Sequence, residues 1–209
     1  MLGLNSFKDK KVMTFLAHPD DEVLGCGGLL SRAKGDGAQI FCVIPVKRIF
    51  QSCYNVMEKL DARVAWGHFD DNEMDKYPLL EVCEFFEDYI KQIKPDIVIT
   101  HHYNCANQDH RVCYKAASIV TKPIKGQIQL LSCEVPSSTG YLRPSNFEPN
   151  LYVGLSYEEL NDKLDMLKMY KSELRADRSE EVVKALACLR GAESGNDLAE
   201  GFMLVRGYC

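Results

Sequence analysis

The chain has 209 residues, with 25 Lys and Arg against 30 Asp and Glu, a formal net charge of −5 and a pI near 5.6. An acidic chain without a basic run argues against a nucleic-acid binder, and no stretch approaches the roughly 18 consecutive apolar residues of a membrane span. The opening MLGLNSFKDKK lacks an apolar segment with a small-residue cleavage site, so no signal peptide is expected.

In chain order, residues 11–17 (KVMTFLA) form an apolar run that breaks at HPDDE, as a buried strand ending in a loop does. The glycine-rich GCGG then opens a helix over 25–34. A second strand is predicted over 38–45, a helix over 51–60 and a short strand over 64–69. Residues 79–93 carry apolar side chains at 79, 82, 86, 89, 90 and 93, a helical stripe stopped by Lys94-Pro95. DIVIT (96–100) is the next strand, followed by a helix over 111–120 and a strand over 128–132. Residues 136–150 are rich in Pro, Ser and Asn and read as a loop over the site. Ser156 with Glu159 forms a capping box that opens a helix to about 171. A helix over 179–192 and a last strand over 202–206 complete the chain. Strands alternating with helices imply one α/β domain over 1–209, with a mostly parallel sheet covered on both faces. Ligands in such sheets bind beyond the carboxyl ends of the strands.

The nine cysteines form no CxxC pair, and several lie in apolar runs. They read as buried free thiols of a protein in the reducing cytoplasm.

Four of the five histidines follow the two best strands: His18 after the first, and His101, His102 and His110 after DIVIT. In a parallel sheet these strand ends share one edge. HPDDE adds three carboxylates, and Asn107-Gln108-Asp109-His110-Arg111 adds an acid and a guanidinium. Two imidazoles and one carboxylate with an open position describe a catalytic zinc site, and a second carboxylate beside them could take a proton from water. Clustered acids raise one another's pKa, an objection that a bound dication removes. A helix N-terminal cap would also place acids in HPDDE, but it leaves the second histidine cluster unexplained. Of His101 and His102, at least one is expected to be structural, and one is a candidate either to support a ligand from outside the metal or to contact substrate; His68 reads as a strand-end or surface residue.

AHPDDE followed by GCGG resembles the signature of the PIG-L/LmbE-like zinc-dependent de-N-acetylases. KPDIVITHH, NQDHR, EVPSST and the C-terminal RGAESG and AEGF continue the likeness along nearly the whole chain. The resemblance implies a three-layer Rossmann-like fold. It further implies His18, Asp21 and His110 as ligands of Zn2+, Asp20 as general base toward the attacking water, and Asp109 as a residue that orients an imidazole. Imidazole plus carboxylate would also accept iron, cobalt or manganese. Many members carry histidine where this chain has Asn107, which can donate to an oxyanion but cannot act as an acid. The acid would then be Asp20, His101 or His102.

For substrate contacts the candidates are Ser137, Ser138 and Thr139 of EVPSST, Lys47 and Arg48 after the second strand, Arg111, His102 and, more weakly, Arg143. Each has a plainer reading: a proline-initiated turn for the hydroxyls, a solvated charge pair for 47–48, a structural ion pair for Arg111. Tyr141 could stack on a sugar, whereas Trp66 reads as packing. GCGG is neither G-x-G-x-x-G nor a Walker loop and reads as close helix packing. The expected activity is removal of N-acetyl from an amino sugar such as an N-acetylglucosamine glycoside, nucleotide sugar or polysaccharide precursor. The alternatives are a zinc hydrolase for another acyl group, such as formyl, and a non-catalytic sugar binder. The expected partner is a small molecule, and the resemblance is compatible with a homo-oligomer.

Overall fold

A computed structural model describes residues 6–48, 50–142 and 147–208; the first five residues of the N-terminal segment and Arg143 lie outside the described residues. Strand alternation sets the layers. In β1 (Lys11–Phe15), Val12 packs into one apolar cluster, and Met13 and Phe15 into another. β2 (Gln39–Val46) divides in the same way, with Ile40, Cys42 and Ile44 against Phe41 and Val43. In β4 (Ile97–Thr100), Ile97 and Ile99 oppose Val98. Apolar side chains on both faces require cover on both faces, and helices supply it. The first cluster takes up α1 (Asp21–Gly35), α2 (Gln51–Leu60), α5 (Tyr157–Met169) and α6 (Glu180–Ser194). The second takes up α3 (Leu79–Ile93) and α4 (Gln108–Val120). The result is a three-layer α/β fold with a mostly parallel mixed sheet. No helix among the described residues is long and apolar enough to cross a membrane.

The remaining strands are β3 (Ala62–Phe69), β5 (Gln129–Cys133), β6 (Leu151–Gly154) and β7 (Ala199–Arg206), and the sheet order is β3-β2-β1-β4-β5-β7-β6. The first five in this order are parallel, while β7 runs antiparallel to both β5 and β6. From β1 the chain builds outward to β3 and then crosses back to β4. The two strands carrying the histidine loops therefore flank the point where strand order reverses, where a crevice opens beyond their carboxyl ends.

Three departures from the expected elements matter. β6 is an additional strand directly after the irregular stretch. β7 begins at Ala199, three residues before the predicted strand. And α4 begins at Gln108 because the Asn107 side chain caps it, accepting from the backbone N–H of Asp109 and of His110. Asp109 and His110 thus sit in a rigid first helical turn.

The GCGG segment is explained by a kink. Cys26 has non-helical dihedrals (φ −152°, ψ 21°) inside α1. The kink frees the N–H groups of Gly28 and Leu29, which donate to the Glu200 carboxylate at 2.9 and 2.8 Å. Lys163 pairs with Glu200 at 2.6 Å and donates to the freed Leu24 carbonyl at 3.0 Å. A buried ion pair whose remaining valences are met in this way satisfies backbone that would otherwise be orphaned. Gly25 lies against β5, where a Cβ would stand 2.5 Å from Cys133 Sγ. The AEGF and GCGG motifs are two halves of this one joint. The eight cysteines among the described residues are all free, and seven are buried.

Candidate metal centre and active site

His18 leaves the end of β1, Asp21 opens α1, and His110 projects from the first turn of α4. Their donor atoms form a nearly equilateral triangle. His18 Nδ1 lies 3.2 Å from Asp21 Oδ2 and 3.3 Å from His110 Nε2, and His110 Nε2 lies 3.2 Å from Asp21 Oδ2. Donors about 2.05 Å from a tetrahedral zinc ion stand about 3.3–3.4 Å from one another, so the triangle has the size of three corners of such a site. Two imidazole nitrogens at 3.3 Å, both protonated, would repel. Lone pairs turned toward a shared cation would not.

The electrostatics agree with this geometry. Burial works against charge on His110, yet the Asp21 carboxylate and its hydrogen bond lift the imidazole to about 9. Burial likewise opposes charge on His18, and Asp109, Asp21 and Asp71 together carry it well above the usual value. Asp21 is held low by these imidazoles against its own burial. The three donors attract positive charge, and a metal would displace protons from them.

A second ring of groups fixes the first. His18 Nε2 faces Asp109 Oδ2 and Asp71 Oδ1, each at 3.1 Å. Asp109 is fully buried and also accepts from the backbone N–H of Asn72 at 2.7 Å and of Met74 at 3.1 Å. It therefore ties the loop after β3 to the His18 imidazole and sets the tautomer that presents Nδ1 to the triangle. Asp71 supplies the same support from that loop. Its signal was the acid pair in GHFDDNE, which follows a strand ending on the same sheet edge.

Asp20 has φ 108° and ψ −28°, strained for a residue with a side chain. Two contacts hold it there. Its N–H donates to Glu22 Oε2 at 3.0 Å, and its Oδ2 accepts from Arg178 Nη1 at 2.6 Å. Burial and the neighbouring Asp21 push the Asp20 carboxyl up, and Arg178 opposes them. Arg178 and Tyr170, which donates to Glu22 Oε1 at 2.5 Å, come from the region after α5, far away in sequence. Glu22 is thus a buried strut, raised by burial from the usual 4.5 to about 7. The folded protein binds a proton there that the unfolded chain has already released. The stability this adds is complete below pH 4.5 and is lost as the pH rises through 7, on the order of 3 kcal/mol. Glu22→Gln keeps an acceptor for Asp20 N–H and offers a donor to the Tyr170 oxygen. In urea melts of metal-free protein, the variant is expected to lose less stability than wild type between pH 5 and pH 8. Equal losses in the two proteins would show that Glu22 does not titrate in this range.

A cavity of about 310 Å3 opens over the triangle. Of the predicted residues, its walls include His18, Asp20, Asp21, Asn107, His110, Arg48, Ser137 and Ser138, joined by Asp71, Glu173, Arg175 and Arg178. Arg48 bonds Asp71 at 3.3 Å and Glu173 at 3.1 Å. Ser137 Oγ is buried without a partner, and Ser138 Oγ lies 3.4 Å from His110 Nδ1. The other predicted contacts are placed elsewhere. Lys47 is exposed away from the cavity lining. Arg111 is spent on the carbonyls of Cys105 and Ala106, and Thr139 Oγ1 accepts the Val135 N–H at 2.9 Å. His102 is buried, accepts from Asn104 N–H at 3.3 Å and packs edge-on against Phe147. His101 is the structural histidine. Its Nε2 accepts the Ala17 N–H at 2.8 Å, its ring stacks on His110 at 3.6 Å, and burial holds it neutral. Trp66 packs at the β3 edge, bonded to Tyr54, and His68 is exposed and paired with Glu81.

Comparison with known proteins agrees with this picture. The family model for PIG-L, GlcNAc-PI de-N-acetylase, matches residues 50–121, a span that holds Asp71, Asn107, Asp109 and His110. The uncharacterized deacetylase YaiS of Escherichia coli (strain K12) is 28% identical over 180 residues, covering 79% of this chain and 92% of its own. The N,N'-diacetylchitobiose deacetylase of Pyrococcus horikoshii superposes with a TM-score of 0.78 at 20% identity, over 99% of this chain and 88% of that one. GalB, a 4-carboxy-2-hydroxymuconate hydratase from Pseudomonas putida KT2440, superposes with a TM-score of 0.76 at 16% identity, over 97% and 98% of the two chains. The fold therefore serves more than one reaction. The family model over residues 50–121, the relative in sequence and the shared architecture make the chain similar to the PIG-L/LmbE-like deacetylases.

Proposed function

We propose that this chain is a divalent-metal-dependent hydrolase that removes an acyl group, acetyl in the first instance, from the nitrogen of an amino sugar. The observation that carries the reading is the 3.2–3.3 Å triangle of His18, Asp21 and His110 beside a separate, oriented carboxylate on Asp20. The deacetylase names of YaiS and of the chitobiose enzyme support hydrolysis over hydration.

An ion at the triangle, zinc by its donor set, would supply an acidified water and polarise the amide carbonyl. The protein's own groups do the rest. Asp20 acts as general base: Arg178 engages Oδ2 and leaves Oδ1 for the water's proton. The same carboxyl then hands that proton to the departing amine, since Asn107 cannot. Asn107 Oδ1 is committed to capping α4, which leaves its amide nitrogen as a donor for the developing oxyanion. Asp109 and Asp71 hold His18 in orientation. Among the described residues the cavity lining is polar and holds no Phe, Tyr or Trp, which suits a hydroxyl-rich sugar held by hydrogen bonds. Ser137, Ser138 and Arg48 are the contacts proposed from the protein side.

The test is amine release from a panel of N-acetylglucosamine substrates, free, glycosidic and nucleotide-linked, with N-formyl counterparts. Release from one acetylated sugar fixes the substrate class. Release only from formyl compounds moves the reading to another acyl group. Binding of a sugar with no release from any compound overturns the hydrolase reading in favour of a sugar binder.

A further inference from the structure

His110 is held unusually for a metal-binding imidazole. Its Nε2 points into the triangle, so its proton belongs on Nδ1, and there the neighbours are Cys105 Sγ at 3.1 Å and Ser138 Oγ at 3.4 Å. Among the described residues, neither a carboxylate nor a backbone carbonyl, the common partners of such an N–H, meets this nitrogen. Cys105 is fully buried and is itself fixed in place. Its carbonyl accepts from Arg111 Nη1, and it forms an isolated antiparallel bridge with Thr139. On the opposite side, the neutral His101 ring lies nearly parallel to His110, at 12°.

We propose that Cys105 is a positioning residue of the metal site: its sulfur accepts the Nδ1–H of His110 and so keeps the Nε2 lone pair turned toward His18 and Asp21. This inference rests on the metal reading given under Proposed function. It also gives Arg111 and Thr139 a role: they secure the loop that presents the thiol. Loss of a partner outside the ligand set typically costs 10–100-fold in metal affinity.

The experiment measures zinc affinity by competition with a chromophoric chelator, together with the visible spectrum of the Co2+-loaded protein. Cys105→Ala is expected to bind zinc about 10–100-fold more weakly and to shift the Co2+ bands. Cys105→Ser, which restores an acceptor, is expected to recover most of the affinity, and Ser138→Ala to stay close to wild type. If the alanine variant fails to fold, Cys105→Val, which fills the space without an equivalent acceptor, carries the same expectation. Unchanged affinity and unchanged Co2+ bands in the alanine or valine variant would overturn the proposal, as would a serine variant no better than alanine. Wild-type protein that takes up neither ion would overturn it together with the metal site. Zinc binding without amine release would overturn the deacetylase reading alone, because the Cys105 comparison reads metal affinity and not turnover.

Discussion

Asp20→Asn is expected to lower kcat by about 10²–10⁴-fold, the usual contribution of a positioned general base, with zinc content unchanged. The two halves of this expectation come from different contacts. Asp20 is not one of the triangle's donors, so its charge is not needed to hold an ion there. An asparagine oxygen can still accept from Arg178 in place of Oδ2, and the N–H to Glu22 bond is a backbone bond that the substitution does not touch. The geometry should therefore survive while the proton acceptor is lost. Turnover and metal content measured on the same preparation check both halves. A fall of less than tenfold would remove Asp20 from the role of base, and lost zinc would make it a ligand.

Asp21→Ala should have the other large effect, on metal binding itself. Asp21 Oδ2 accepts the His18 N–H at 3.0 Å and faces the His18 and His110 imidazoles, each at 3.2 Å. Without it, two imidazoles are left 3.3 Å apart with no anion between them. Zinc affinity should fall by more than the roughly 100-fold that bounds the loss of an outer partner. The metal-free protein should also lose about 3 kcal/mol, because buried imidazoles held positive by this carboxylate would lose their counter-charge. Equilibrium dialysis and urea melts measure the two effects. A variant within tenfold of wild-type zinc affinity would contradict the assignment of Asp21 as a ligand.

What could be read from the sequence follows from what sequence patterns encode. Apolar periodicity located α3 to the residue, because Lys94-Pro95 marks its end, and the helix expected over 51–60 is α2. It missed β6, four residues on a half-buried sheet edge, too short and too weakly alternating to stand out beside the Pro- and Asn-rich stretch before it. The start of α4 was misplaced because Asn107 was weighed for its chemistry and not as a helix cap. At the site, the segments that hold His18, Asp21 and His110 were legible because they follow adjacent parallel strands; the choice of these three residues within them came from the family resemblance. Arg178, Glu173 and Tyr170 were not legible. Their partners Asp20, Arg48 and Glu22 lie 125 to 158 residues away, and no local pattern announces a pairing across that distance. Lys47 and Arg48 show a finer limit: of two neighbouring cations at one strand end, only Arg48 reaches the cavity. His101 and His102 make the same point, since only the fold reveals that His101 is bonded to Ala17 N–H and stacked on His110.

The most direct test of the central claim is amine release from an N-acetylglucosamine substrate, measured before chelation, after chelation and after stoichiometric zinc is returned. If the triangle of His18, Asp21 and His110 holds the ion that drives amide hydrolysis, release stops with the chelator and returns with zinc. Release that continues at the same rate in protein shown to be free of metal would contradict the account.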